Sequence, residues 1–130
     1  AAGYPLTDTR AYGTGLDQTT TYVRDATSNL VMSRTDALAR RTDYSYDTKG
    51  NVLTLTRLAG PAEAVTTTFT YEATFNQMAT VTDPLSHTTT LGYDSTGNLT
   101  SMTDPLTHQT TLTYNPAGQS LKITTPAGTN

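Results

Sequence analysis

The chain has 130 residues, a formal net charge of −3 and only 15% charged residues, which argues against a nucleic-acid or membrane-surface binder. It has no cysteine, so neither a disulfide nor a thiolate metal site is available to it. Threonine makes up about a quarter of the chain, and its β-branched side chain suits a half-buried sheet better than a helix.

Hydrophobic content is 35%, with eight Tyr, two Phe and no Trp. That is thin for a small domain standing alone, so either a longer parent chain or pairing of the ends with neighbours is expected. No apolar run is long enough for a signal peptide or a membrane span.

Residues 1–18 read as an irregular lead-in, with Tyr4-Pro5-Leu6-Thr7 and Gly13-Thr14-Gly15 as turn material around a short strand. Ala1-Ala2-Gly3 reads as a cloning remnant. From residue 19 to 128 the chain repeats itself, leaving 129–130 as a tail. Thr19 to Tyr22 opens a first, degraded unit, with Leu30 to Arg34 as its returning strand. Asp43 to Asp47 is the strand of a second unit, Thr48-Lys49-Gly50-Asn51 its turn and Val52 to Arg57 its return. Gly60-Pro61 breaks the chain, and Thr66 to Tyr71 begins the third. Thr67 to His87, Thr88 to His108 and Thr110 to Gly128 are near copies of one another. A fixed period of this size marks a repeat architecture.

Five tyrosines mark the units: Tyr22, Tyr46, Tyr71, Tyr93 and Tyr114. No unit carries a helical period. Each has two short strand-like runs around a turn with Gly or Asn. Thr89, Leu91 and Tyr93 share one face of a strand, and Thr90, Gly92 and Asp94 the other. Leu99 and Met102 differ in parity, which a bulge between them would explain. The expectation is an all-β fold: about five tandem β-hairpins whose antiparallel sheet is curled or spiralling, with the Tyr, Leu and Val face on the concave or packed side.

Tyr46-Asp47-x-x-Gly50-Asn51 and Tyr93-Asp94-x-x-Gly97-Asn98-Leu99 resemble the YD-repeat, or RHS-repeat, family. Tyr71-Glu72-x-x-Phe75-Asn76 and Tyr114-Asn115-x-x-Gly118-Gln119 are looser versions, and Thr82-Asp83-Pro84-Leu85 and Thr103-Asp104-Pro105-Leu106 fit the linker between units. The resemblance covers roughly residues 19–128. It implies a hairpin-repeat sheet that spirals into a hollow shell. In large secreted or surface bacterial proteins of the family that shell encloses a toxic C-terminal domain, and relatives act in cell-surface adhesion. Five or six units are too few to close a shell. Neither the family's self-cleaving segment nor a toxin domain is found in these residues.

Candidate chemistry is sparse. Asp83 and Asp104, with His87 and His108, hold equivalent repeat positions and suggest a metal ladder. However, equivalent positions two strands apart lie roughly 10 Å from each other, too far to share one ion. A turn-initiating Asp-Pro explains them better. Asp47 and Asp94 invite an acid/base reading, but each precedes x-x-Gly, where a carboxylate caps turn amides. Ser86 beside His87 is adjacency without a triad. Arg40-Arg41 reads as a solvated pair, and Asn98-Leu99-Thr100 as a coincidental glycosylation sequon. No catalytic residue, cofactor site or metal site is expected. Tyr22, Tyr46, Tyr71, Tyr93, Tyr114, Asp47, Asp94, Gly50, Gly97, Gly118, Asp83, Pro84, Asp104 and Pro105 are expected to be structural repeat positions.

The leading functional expectation is a structural scaffold, a wall segment of an extracellular shell or filament. It would pair with neighbouring repeats or identical subunits through open sheet edges. The alternatives are a module binding glycans or a cell surface through Tyr and Thr hydroxyls, and a glycosidase using Asp83 and Asp104, since such carboxyl pairs stand about 5–9.5 Å apart.

Overall fold

A computed structural model describes residues 4, 6–12, 16–58 and 63–126. The expected Ala1–Gly3 remnant, Gly13–Gly15 turn and Gly60–Pro61 break, the last two residues of the array drawn to 128, and the tail 129–130 lie outside them. Among the described residues there is no helix, and eleven strands follow one another in a single sheet in chain order. They are β1 (Thr7–Tyr12), β2 (Leu16–Arg24), β3 (Val31–Thr35), β4 (Arg41–Tyr46), β5 (Val52–Leu58), β6 (Ala64–Tyr71), β7 (Met78–Thr82), β8 (Thr88–Tyr93), β9 (Leu99–Thr103), β10 (Gln109–Tyr114) and β11 (Ser120–Thr124). The all-β hairpin array read from the sequence is thus the observed fold. β2 crosses the boundary drawn after residue 18.

The chain divides into two units at Thr67/Thr68, inside β6. In the first, β1 to β5 pair antiparallel in sequence order. The Thr56 and Thr66 hydroxyls hydrogen-bond at 2.9 Å, between β5 and the start of β6. In the second, β6 to β11 pair the same way.

Register sorts the side chains of the second unit onto two unlike faces, because cross-strand partners share a face. One rung runs Thr70, Thr80, Thr90, Thr103, Gln109. The next on that face runs Gly92, Ser101, Thr111, Thr124. The other face carries the rungs Phe69–Val81–Thr89, Leu91–Met102–Thr110 and Leu112–Ile123. Hydroxyls on the threonine face bond across strands, Thr70 to Thr80 at 2.7 Å and Thr82 to Thr88 at 2.9 Å. Each such pair contributes about 0.2–1 kcal/mol.

Among the described residues nothing covers the apolar face. No hydrophobic side chain is buried among the described residues; Met102 is 43% exposed and Ile123 61%. Among the described residues the strand contacts are between sequence neighbours, so within neither unit does the described sheet fold back on itself. The curl that was to pack the bulky face is therefore absent from each unit. Short turns hold successive strands side by side, and among the described residues they leave no segment to form a second layer.

The hairpins β2–β3, β4–β5, β6–β7, β8–β9 and β10–β11 each carry one bulge on the returning strand. Tyr93 pairs with Leu99 and Gly92 with Ser101, which leaves Thr100 as the extra residue. That is the bulge the parity of Leu99 and Met102 predicted. Met32, Leu53, Ala79 and Leu121 hold the same place in the other hairpins.

Candidate functional site

The chemistry-bearing side chains gather at the turns, and the turns share one design. In the hairpin tip from Asp47 to Asn51, the Asp47 amide donates to the Asn51 carbonyl at 2.9 Å. The Gly50 amide donates back to the Asp47 carbonyl at 3.1 Å. This folds the chain so tightly that Gly50 takes a φ of +88°, which glycine adopts without a Cβ penalty. The Asp47 carboxylate fills the cup: one oxygen accepts the Lys49 and Asn51 amides, the other the Asn51 side-chain amide. Asp94 does the same with Thr96 and Asn98, and Gly97 supplies a φ of +86°. At the last tip Asn115 stands in for the carboxylate, its oxygen accepting the Ala117 and Gln119 amides.

The linkers between hairpins repeat this arrangement. Asp83 accepts the Leu85 and His87 amides, and Asp104 those of Leu106 and His108. Their second oxygens meet the Nδ1 of His87 at 3.0 Å and of His108 at 2.9 Å. Pro84 and Pro105 sit at the corner, where no amide is needed. Asp36 builds an equivalent linker that lacks proline, with Arg40 in the histidine's place. The left-handed residue is Ser86, Thr107 or Ala39 in these linkers. Arg40 binds Asp36 and Arg41 binds Asp43, so the basic pair is spent separately.

These hydrogen bonds favour the ionised carboxylates. Asp94 is held well below the usual carboxylate range, first by the Thr96 hydroxyl and then by Asn98. Asp47 is lowered chiefly by the Asn51 side chain, Asp83 by the His87 amide and Asp104 by the His108 side chain. At Asp36 desolvation opposes ionisation, but the bonds from Arg40 and Leu38 outweigh it. Each of Asp47, Asp83, Asp94 and Asp104 commits both oxygens inside its own turn. Among the described residues no three His, Asp or Glu side chains group as metal ligands.

The repeat tyrosines point elsewhere. Tyr46 donates its hydroxyl to the Val31 carbonyl at 2.7 Å, Tyr93 to Met78 at 2.8 Å and Tyr114 to Leu99 at 2.8 Å, each fifteen residues back. The acceptor is always the residue just before a bulge. The β7–β8 ladder stops at Thr80↔Thr90, because the bulge at Ala79 turns the Met78 carbonyl out of it. The phenol of the following hairpin satisfies that carbonyl. Burial raises the Tyr46 and Tyr93 hydroxyls above their ordinary pKa, with Tyr44 and Glu72 adding to it.

In the first unit, register places Arg24 rather than Tyr22 in this slot: Arg24 pairs with Val31 across the bulge, as Tyr93 does with Leu99. Its guanidinium lies 5.7 Å from the centroid of the Tyr22 ring and 5.4 Å from that of Tyr4, and it bonds the Asn29 carbonyl. The sequence offered a tyrosine two residues early, and the longer tip concealed the shift.

Consecutive tips also pack on one another. A Cβ on Gly97 would meet the Phe75 ring of the preceding tip at 3.3 Å, and one on Gly50 would meet Leu30 at 3.8 Å. A Cβ on Gly118 would meet the Asn98 side chain at 3.9 Å. Between the tips lie shallow clefts: one beside Tyr46 and Asp47, one beside Tyr93 and Asp94, one beside Tyr114 and Asn115.

The RHS Repeat family model matches residues 74–107 and again 93–129. Two crystal structures are similar. That of TcdB2-TccC3-Cdc42 has a TM-score of 0.45 and 17% identity, over 84% of this chain and 7% of the other. That of TcdB2-TccC3-TEV has a TM-score of 0.43 and 17% identity, over 82% and 7%. The chain thus spans about 7% of the length of the chains it resembles. No curated protein matches it.

Proposed function

We propose, from the match of residues 74–129 to the RHS Repeat family model, that the chain is a structural wall segment of a large secreted or surface-exposed bacterial assembly. One observation carries the reading. The hairpins that carry Tyr46, Tyr93 and Tyr114 are each fastened to the strand before them by the tyrosine hydroxyl on a carbonyl the ladder leaves out, at the same spacing in all three. A side chain spent this way serves repetition and not turnover. The recurrent aspartates are likewise committed to their turns, which supports a role without catalysis. Tyr46, Tyr93 and Tyr114, with Asp47, Asp94, Asp83-Pro84, Asp104-Pro105, Gly50, Gly97 and Gly118, then act as framework. In a longer parent chain such a wall would enclose a toxic domain.

A wall segment with open edges associates edge to edge. Electron microscopy and light scattering of the purified chain test this, with curved or fibrous assemblies expected. A monodisperse monomer at high concentration overturns the edge association. The clefts between tips support a second reading, in which the array binds glycans through its phenol rings. A glycan array probed with the folded chain separates the two, since a wall alone gives no hits.

A further inference from the structure

The outer edge of β11 has the features of a specific strand acceptor. Among the described residues β11 pairs on one side only, with β10, so its alternate backbone groups face outward. It repeats the layout of β3, β7 and β9, each of which receives the next hairpin on that same side. In all of them a bulge follows the first residue: Met32, Ala79 and Thr100 there, Leu121 here. Ser33, Thr80 and Ser101 then face Asp43, Thr90 and Thr111 of the incoming strand. Three residues further along that strand stands the tyrosine that bonds the carbonyl before the bulge. On β11 the carbonyl is that of Ser120, and the facing position is Lys122.

Resting on the scaffold reading, we infer that β11 is a dock for an extended segment of the form Thr-(Asp or Glu)-apolar-small-Tyr. That segment runs antiparallel, with its tyrosine on the Ser120 carbonyl and its carboxylate opposite Lys122. The register at the three occupied junctions fixes the tyrosine's place. Charge fixes the second residue: the lysine stands where the other strands carry a hydroxyl, and opposite charges directly across a pair attract. Lys122 is exposed, so its ammonium is accessible to the incoming strand. The chain itself contains one such segment, Thr42-Asp43-Tyr44-Ser45-Tyr46, which already makes this register and this tyrosine contact against β3, with Asp43 opposite Ser33.

The test uses the full chain and a synthetic peptide of residues 41–47, read by amide exchange and fluorescence titration. The peptide is expected to protect the β11 amides. The same peptide with Tyr46→Phe binds roughly fivefold more weakly, the loss of one net hydrogen bond. With Asp43→Lys it weakens to a similar degree, roughly fivefold, and a Lys122→Glu chain reverses that preference. Protection absent from β11, or equal affinity for all three peptides, overturns the dock. If that happens while circular dichroism still shows a sheet, the scaffold reading survives it. A chain with no sheet signal overturns both.

Discussion

The smallest unit of this structure is a phenol hydroxyl on a stranded carbonyl. Removing the hydroxyl with Tyr93→Phe keeps the ring and leaves the Met78 carbonyl without that donor. The expected cost is about 0.5–1.5 kcal/mol, read as a lower denaturant midpoint at unchanged slope. Gly97 is the other sensitive residue. Its φ of +86° strains any side chain there, and the Phe75 ring 3.3 Å from a built Cβ would have to give way to a methyl group. Gly97→Ala is expected to cost about 1–2 kcal/mol, measured the same way. Phe75→Ala combined with it relieves the contact but not the backbone strain, so part of the loss persists.

At the scale of the element, hairpin tips and linkers are one turn written in different letters. The chain supplies its own comparison, since Asn115 fills the cup that Asp94 fills elsewhere. Asp94→Asn therefore keeps the acceptor for both amides and should lower the melting temperature less than Asp94→Ala, a ranking thermal unfolding checks directly. The tips were legible in the sequence because Gly50, Gly97 and Gly118 announce the left-handed residue. The Asp36–Arg40 linker was not, because Ala39 holds that conformation at a φ of 60° and alanine signals no turn. The bulge at Thr100 was legible from the parity of Leu99 and Met102. Arg24 was hidden because a tyrosine two residues away satisfied the pattern. The uncovered apolar face was also illegible: a period of two tells which residues share a side, not whether anything packs on it.

For the molecule as a whole, the carboxylates tie stability to pH. Asp25, Asp36, Asp47, Asp83, Asp94 and Asp104 all have folded pKa values below their ordinary ones. Their contribution is therefore complete above the unfolded value of about 3.9 and is lost as pH falls through the lower folded values. The denaturant midpoint should stay level above about pH 4 and drop below it. The loss is not uniform, since the β10–β11 tip is built on Asn115, which does not titrate. Amide exchange under acid should open the Asp47 and Asp94 tips before the Asn115 tip.

The spacing of the phenol contacts sets where this chain tolerates a slip in its own copying. From acceptor to donor the distance is fifteen residues at three junctions, and that span contains a linker but never a hairpin tip. Tips vary: the Asp25 and Glu72 tips close one residue later than the Asp47 and Asp94 tips. A codon gained or lost at a tip leaves that fifteen-residue spacing intact, whereas the same event in a linker detaches the phenol of that one junction from its carbonyl. Foreign peptides, epitope tags or labels belong at the tips, and the opposite margin of the ribbon is closed to them.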